Sequence, residues 1–168
     1  MVKCLLVVIM GEVVALNNNL DLWNAVNTGD GEGVNQALSR GGDPNWSNPA
    51  SYSKTALHMA ALNNFPSIVR TLLSKGANLE ARNDQGWTPL YSASRDGCNE
   101  ALAVLISCGA DVNAQTNNGN TALMGATLYG HLTTVEVLIN AHANMTITQQ
   151  AGWSVLHWAA WHNRQDIA

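Results

Sequence analysis

Histidine, cysteine and carboxylate side chains are the groups in this chain that could carry acid–base, nucleophilic or metal chemistry. Catalysis needs an acid, a base and a nucleophile that converge, and a metal site needs several ligands at close spacing. His58 and His157 each follow a hydroxyl residue by three positions, whereas His142 and His162 stand alone. The glutamates are scattered and form no pair: Glu12, Glu32, Glu80, Glu100 and Glu136. The sequence therefore predicts no enzyme, no metal site and no cofactor.

The three cysteines, Cys4, Cys98 and Cys108, are odd in number and widely separated, which is typical of neither a disulfide framework nor a zinc site. We place Cys98 and Cys108 near the two ends of one helix. Ten helical residues rise about 15 Å, which is beyond the reach of a disulfide. We therefore expect reduced thiols.

The composition excludes some classes of partner. Apolar residues make up an ordinary 46% of the chain, but charged residues make up only 12%, about half of the roughly 25% of typical soluble domains. The formal net charge is −4 and no basic run occurs. Sequence-independent nucleic-acid binding needs clustered lysine and arginine, so we expect no nucleic-acid partner.

The elements that must position these residues are repeats. Four short segments begin at positions 55, 88, 121 and 154, so that each lies 33 residues after the one before. They are Thr55-Ala56-Leu57-His58, Thr88-Pro89-Leu90-Tyr91, Thr121-Ala122-Leu123-Met124 and Ser154-Val155-Leu156-His157. The alanines at 60, 93, 126 and 159 keep the same step. Such periodicity over several columns predicts a stack of similar units.

A 33-residue period built on Thr-Pro-Leu-His resembles the ankyrin repeat. The third unit lies closest to that pattern, with Asp84 to Leu90, Gly97, Leu105-Ile106 and Gly109 to Ala114. The resemblance implies an all-α solenoid of helix-turn-helix units joined by β-hairpin-like loops. It covers residues 20–168 in about four and a half repeats. Their predicted bounds are 20–47, 48–82, 83–115, 116–148 and 149–168, the last being truncated.

Elementary helix chemistry agrees with this resemblance. Thr88 is placed to cap a helix N-terminus, and Pro89 follows at the first helical position, where its missing N–H costs nothing. We expect that helix to run to about Arg95 and to end at Gly97. The second helix should run from about Asn99 to Ser107 with one apolar face. Helices this short gain their stability only by stacking on neighbours.

Some positions depart from the repeat. The first repeat lacks the Thr-x-Leu-His start and has Gly33 where the second has Ile68. Two extra residues lie between Asn45 and Lys54. His142 replaces the glycine that should end a helix, so we expect that loop to take another shape. The sequence ends within the second helix of the fifth repeat, which suggests a fragment of a longer chain.

Residues 1–19 form an apolar N-terminal segment, with two interpretations. The segment is too short to span a bilayer, so no membrane span is expected. It could be a cap folded over the first repeat. It could instead be a secretory signal peptide of residues 1–15 that ends at Val13-Val14-Ala15, in which case the sequons at Asn45 and Asn144 would matter.

The resemblance assigns binding, rather than catalysis, to the surface. Ankyrin arrays hold partner proteins along a concave side made by the hairpin tips and the first helices, and the histidine of the Thr-x-Leu-His motif is structural there. Carried over by position, the candidate partner-binding residues are Asp84, Gln85, Trp87, Arg95, Asp96, Asn118, Asn120, Leu128, Tyr129, Trp153, Trp161 and His162. For Trp87 and Trp153, packing on the neighbouring hairpin is an equal alternative.

The predicted function is therefore a protein-interaction module or scaffold in the cytosol or nucleus, with no small-molecule substrate. Two alternatives stay open: a secreted ankyrin effector, and the regulatory region of a larger enzyme or channel. The surroundings of Asn113 also resemble the asparagines that a cytosolic hydroxylase modifies in this family. The simpler interpretation is that Asn113 only bonds the hairpin backbone.

Overall fold

The computed structural model describes the backbone of residues 2–161 and the side chains of residues 10–161. Within these residues the chain forms consecutive helix pairs. The helices are α1 (Val2–Thr28), α2 (Gly31–Ser39), α3 (Ala56–Leu62), α4 (Pro66–Ser74), α5 (Pro89–Arg95), α6 (Asn99–Ser107), α7 (Ala122–Tyr129), α8 (Leu132–Asn140) and α9 (Val155–Trp161). The predicted all-α helix-turn-helix solenoid is confirmed.

Two of the predicted hydroxyl caps begin the helices α5 and α7. The Thr88 hydroxyl accepts a hydrogen bond from the Tyr91 N–H at 3.2 Å, and Pro89 occupies the first position of α5. In the next repeat the Thr121 hydroxyl accepts from the Met124 N–H at 3.4 Å. Each hydroxyl satisfies a backbone donor that the short helix cannot pair internally, so the 33-residue spacing of these residues sets where the helices start.

The core lies between two layers of helices. We call the first helix of each pair the inner helix; α3 contacts α5, α5 contacts α7 and α7 contacts α9, while α4, α6 and α8 form the second layer. The leucine column of the motif is buried between inner helices, with Leu57, Leu90 and Leu123 no more than 2% exposed. Each repeat therefore buries its apolar face against its neighbours.

The first helix contains the apolar N-terminal segment, for which the cap and the signal peptide both stay open as interpretations. Residues 2–28 form one continuous helix that passes through Gly11 and Glu12. Met10, Val13 and Val14 are each more than half exposed, whereas the Asn19 side chain is buried and accepts a hydrogen bond from the Asp43 N–H at 2.7 Å. Gly33 in the same repeat lies where α2 approaches α1, because a Cβ there would stand 3.1 Å from the Ala25 Cβ. No helix among the described residues is long and apolar enough to cross a membrane.

The extra residues of the first connection form a distinct turn. Strands β1 (Ser47–Asn48) and β2 (Lys54–Thr55) pair antiparallel around the 3-10 turn Pro49–Ser51. Tyr52 and Ser53 then take positive φ angles of 55°. The insertion is thus absorbed at the hairpin tip.

We expected the loop at His142 to differ in shape from the corresponding loops of the earlier repeats, and this expectation was wrong. His142 has a φ of 60°, so it adopts the left-handed conformation that Gly76 and Gly109 adopt at the same place in earlier repeats. Its N–H donates to the Ile139 carbonyl at 2.9 Å, and the next N–H closes onto Leu138. These helix-ending hydrogen bonds hold the turn, and the histidine bears the strain of a conformation that favours glycine.

Candidate functional site

The motif histidine belongs to the framework. His58 is fully buried, and its Nδ1 lies 2.9 Å from the Thr55 hydroxyl and 3.2 Å from the Thr55 backbone N. Its Nε2 lies 2.8 Å from the Trp87 carbonyl of the next repeat. Burial lowers the pKa of His58 to about 4, against the raising effect of that carbonyl. A neutral ring that bridges two repeats is a structural device, as the resemblance implied.

The other motif histidine forms the same local contact, and the described cysteines lie apart from it. His157 repeats the local bond, with Nδ1 2.9 Å from the Ser154 hydroxyl. Among the described residues no group of histidine, cysteine, aspartate or glutamate side chains could hold a metal ion. Cys98 and Cys108 lie at the two ends of α6 as free thiols, and burial raises the pKa of Cys98.

Side chains along α5 form a stack at helical spacing. Tyr91 and Arg95 are four residues apart and lie on one face of α5, and Trp87 precedes the helix cap Thr88 and packs at the start of that face. The rings of Trp87 and Tyr91 lie 5.2 Å apart, and the Arg95 guanidinium lies 5.0 Å from the Trp87 ring centroid. Trp87 is half-buried and Tyr91 is buried. Trp87 is thus held against the helix of its own repeat, and its role in partner binding stays a prediction.

Arg95 also joins the third repeat to the fourth. Its guanidinium lies 5.0 Å from the Tyr129 ring centroid, so it is held between that ring and Trp87. Asp96 lies 3.5 Å away and offsets its charge. Burial lowers the pKa of Arg95, but the Tyr129 hydroxyl and Asp96 raise it by more, so the net pKa is raised. Burial, and then Tyr129, raise the pKa of Tyr91 to about 12.

The fifth repeat builds a comparable stack from indole rings. Trp153 lies 5.3 Å from Trp161 and 5.0 Å from Trp158 between ring centroids, and 6.4 Å from the His157 ring. Trp161 occupies the place that Arg95 has in the third repeat, and it is 69% exposed. The exposed face of this aromatic cluster is therefore a large apolar surface with a hydrogen-bond donor.

Between these two stacks, the fourth repeat contributes smaller groups. Leu128 is half-buried, whereas Tyr129 is 47% exposed although one side of its ring is covered by Arg95. Asn120 occupies the position of Trp87 and Trp153, and its side-chain oxygen is buried without a hydrogen-bond partner among the described residues. We define the inner-helix strip by the five aromatic and arginine side chains Trp87, Arg95, Tyr129, Trp153 and Trp161.

The hairpin tips use their backbone to join neighbouring repeats. The Asn117 N–H donates to the Gln85 carbonyl at 3.0 Å, and the Gln150 N–H donates to the Asn118 carbonyl at 3.1 Å. Asp84 accepts through its carbonyl from the Asn117 side chain at 2.9 Å. The side chains of Asp84, Gln85 and Asn118 remain exposed. These predicted residues therefore lie at the edge of the inner-helix strip with their polar ends accessible.

Asn113 lies in the hydrogen-bonded connection between repeats. Its side-chain oxygen accepts from the Asn144 N–H at 2.7 Å, and its own N–H donates to Asp111 Oδ1 at 2.9 Å. Glu80 has the same role in the preceding repeat, where its Oε1 accepts from the Asp111 N–H at 2.8 Å. This geometry supports the structural interpretation of Asn113, while its hydroxylation stays a prediction.

The structure brings the predicted binding residues together in two contact groups: Arg95 with Trp87 and Tyr129, and Trp153 with Trp161. His162 lies outside the described residues. The sequence analysis did not include Tyr91 among the binding residues and did not anticipate that Trp158 joins the indole cluster. The four-residue spacing of Trp87, Tyr91 and Arg95 could have indicated that these side chains pack together. The same spacing recurs in Trp153, His157 and Trp161.

The fold and this surface define a class of protein: a helical repeat array with exposed aromatic side chains on its inner helices, and with no group among the described residues that could hold a metal ion. A family model of ankyrin repeats in three copies matches residues 22–116 and 105–168. The chain belongs to the ankyrin-repeat family, a non-enzymatic interaction fold.

Two known proteins show similarity over a portion of the chain. The RelA-associated inhibitor of Mus musculus is 40% identical over 86 residues, which cover 51% of this chain and 10% of that protein. The E3 ubiquitin-protein ligase KEG of Arabidopsis thaliana is 36% identical over 66 residues, which cover 39% of this chain and 4% of that protein. The matched segment is a tenth or less of either relative, so the similarity concerns the repeats and not the activity of the whole proteins.

Proposed function

We propose that this chain binds a partner protein on the inner-helix strip, the side that the family places on the concave surface. The observation that carries the proposal is the exposure of Tyr129 and Trp161, at 47% and 69%, in an array whose other inner-helix aromatics are buried or half-buried. Aromatic and arginine side chains are the usual anchors of protein interfaces. Their packing against Arg95 and Trp153 fixes the rings before a partner arrives, which reduces the entropy lost on binding.

The low charge of the chain supports a partner held by aromatic contacts and neutral hydrogen bonds. Among the described residues the one ion pair joins Arg95 of the strip to its neighbour in sequence, Asp96. Interactions between exposed charges weaken as salt rises, whereas aromatic packing does not. We therefore expect partner affinity to change little between low and moderate salt.

The experiment is affinity capture with the full chain, with quantitative mass spectrometry of what is retained. Tyr129→Ala and Trp161→Ala should each reduce the retained partner by about tenfold, because each removes an aromatic anchor. Leu132→Ala is the matched control, since Leu132 is a 38% exposed apolar residue at the start of the outer helix α8. Equal loss with the control, or no loss with the two aromatic variants, would refute the proposal.

The cytosol or nucleus is the proposed location. One relative is named for its association with RelA and the other for ubiquitin ligation, and we transfer from them only the general role of binding another protein. Secretion, the alternative, would be established by a mature N-terminus near residue 16 in intact-mass analysis and a glycan on Asn45. The Asn45 amide nitrogen donates to the Gly76 carbonyl at 2.9 Å, so a glycan there would lie against the next hairpin.

A further inference from the structure

The spacing of the inner helices suggests what kind of segment could lie across them. The strip runs from α5 across α7 to α9, and these helices pack side by side in that order. Packed helices lie about 8–10 Å apart. A polyproline II helix advances about 3.1 Å per residue with three residues per turn, or about 9 Å per turn. One turn of such a ligand therefore matches one step of the array.

The polar groups of the inner-helix strip can all donate hydrogen bonds. The indole N–H groups of Trp87, Trp153 and Trp161 donate to no acceptor within the region that the structure describes, and Arg95 carries only donors. Tyr129 can also donate through its hydroxyl. A polyproline II ligand has the complementary pattern, because its backbone makes no internal hydrogen bonds and its prolines offer carbonyl acceptors without N–H groups.

The inner-helix strip and a polyproline II ligand are both ordered before they bind each other. Arg95 is held between the Trp87 and Tyr129 rings at 5.0 Å from each centroid, and Trp161 packs on Trp153 at 5.3 Å. Proline rings pack well on rigid aromatic faces, and the ligand's extended conformation exists before binding. An interface between two ordered surfaces needs little area to reach a useful affinity.

The charges orient such a ligand. Asp96 offsets Arg95 at 3.5 Å, so the centre of the strip favours an uncharged segment. Asp84 at the hairpin tip is exposed and forms no ion pair within the described residues. A basic residue of the partner beside Asp84 complements this charge, at the end of the strip nearest the second repeat, since the Asp84 N–H bonds the Tyr52 carbonyl.

We propose that the inner-helix strip recognises a proline-rich segment in the polyproline II conformation, with prolines in register with successive inner helices and a basic residue at the end that reaches Asp84. This inference rests on the proposed function and specifies its partner. It assigns Tyr129 and Trp161 to successive proline-binding positions, and Arg95 to a carbonyl of the ligand.

The test uses the full chain and two synthetic peptides of four Ala-Pro-Pro repeats, one with and one without an added arginine at one end, each titrated by isothermal calorimetry. Tyr129→Ala and Trp161→Ala should each weaken peptide binding by about tenfold. Tyr129→Phe keeps the ring and removes only the hydroxyl, and should weaken binding a few-fold while leaving the fold intact. Asp84→Asn should weaken binding about two- to fivefold, and only for the peptide that carries the arginine. Leu132→Ala should bind as the unaltered chain does.

The outcomes separate this inference from the proposed function. Equal binding of a peptide in which every proline is alanine, or absence of binding at millimolar peptide, would overturn the polyproline assignment. So would tighter binding of an amphipathic helical peptide at the same residues. If a captured protein partner still depends on Tyr129 and Trp161 in those cases, the proposed function stands without the proline-rich ligand. If neither peptide nor protein depends on the two residues, both are wrong.

Discussion

Acid should destabilise this array through His58. The ring is fully buried, and burial lowers its pKa from the usual 6.5 to about 4. Between these two pH values the unfolded chain binds a proton that the folded chain does not. Stability from His58 is therefore complete above pH 6.5 and is lost as the pH falls towards 4. Linkage gives a loss of about 2 kcal/mol at pH 5 and about 3 kcal/mol at pH 4, a large fraction of the stability of a small domain.

Urea unfolding followed by far-ultraviolet circular dichroism from pH 7.5 to 4.5 measures this loss. The matched variant is His58→Gln, which stays neutral over this range and can still bond the Trp87 carbonyl. It should be less stable at pH 7.5 by about 1–3 kcal/mol, because one buried hydrogen bond is altered. Its stability should fall much less between pH 6.5 and 4.5. Parallel pH profiles for the two proteins would refute the assignment, since the loss would then come from other groups.

Three further predictions concern stability and local opening. His142→Gly should raise the free energy of unfolding by about 0.5–1 kcal/mol, because glycine relieves the left-handed strain but gains entropy when unfolded; a destabilised variant would contradict the strain. A double-mutant cycle between Arg95→Leu and Tyr129→Leu should give a coupling of about 0.5–1 kcal/mol, and additive effects would show that the stacking contributes nothing. Amides of α9 should exchange at least about tenfold faster than those of α5 and α7, because Leu156 is 54% exposed where Leu90 and Leu123 are buried; uniform protection in a dilute monomer would be the contrary result.

The repeat architecture was predictable because it is local and periodic. Thr88, Pro89 and Gly97 specify the start and end of α5 by chemistry that the sequence shows directly, and the 33-residue step carries the same boundaries to the other repeats. The Thr55–His58 bond followed from the same motif.

Other features depend on contacts between repeats, which periodicity does not reveal. His142 keeps the left-handed turn because two helix-ending hydrogen bonds hold it, although its side chain disfavours that conformation. The continuity of α1 through Gly11 could not be read from an apolar run that looked interrupted. The clamp of Arg95 between Trp87 and Tyr129 requires two side chains from different repeats, so only the stacked structure shows it.

The central claim is that the inner-helix strip is the binding surface. Fluorine NMR of the chain with 5-fluorotryptophan at its six tryptophans tests this claim most directly. Trp23 and Trp46 pair with each other in the first repeat at 6.4 Å, so they provide internal controls. On addition of the captured partner, we predict that the signals of Trp87, Trp153 and Trp161 shift while those of the control pair stay in place. Shifts confined to Trp23 and Trp46 would contradict this and would place the partner at the opposite end of the array.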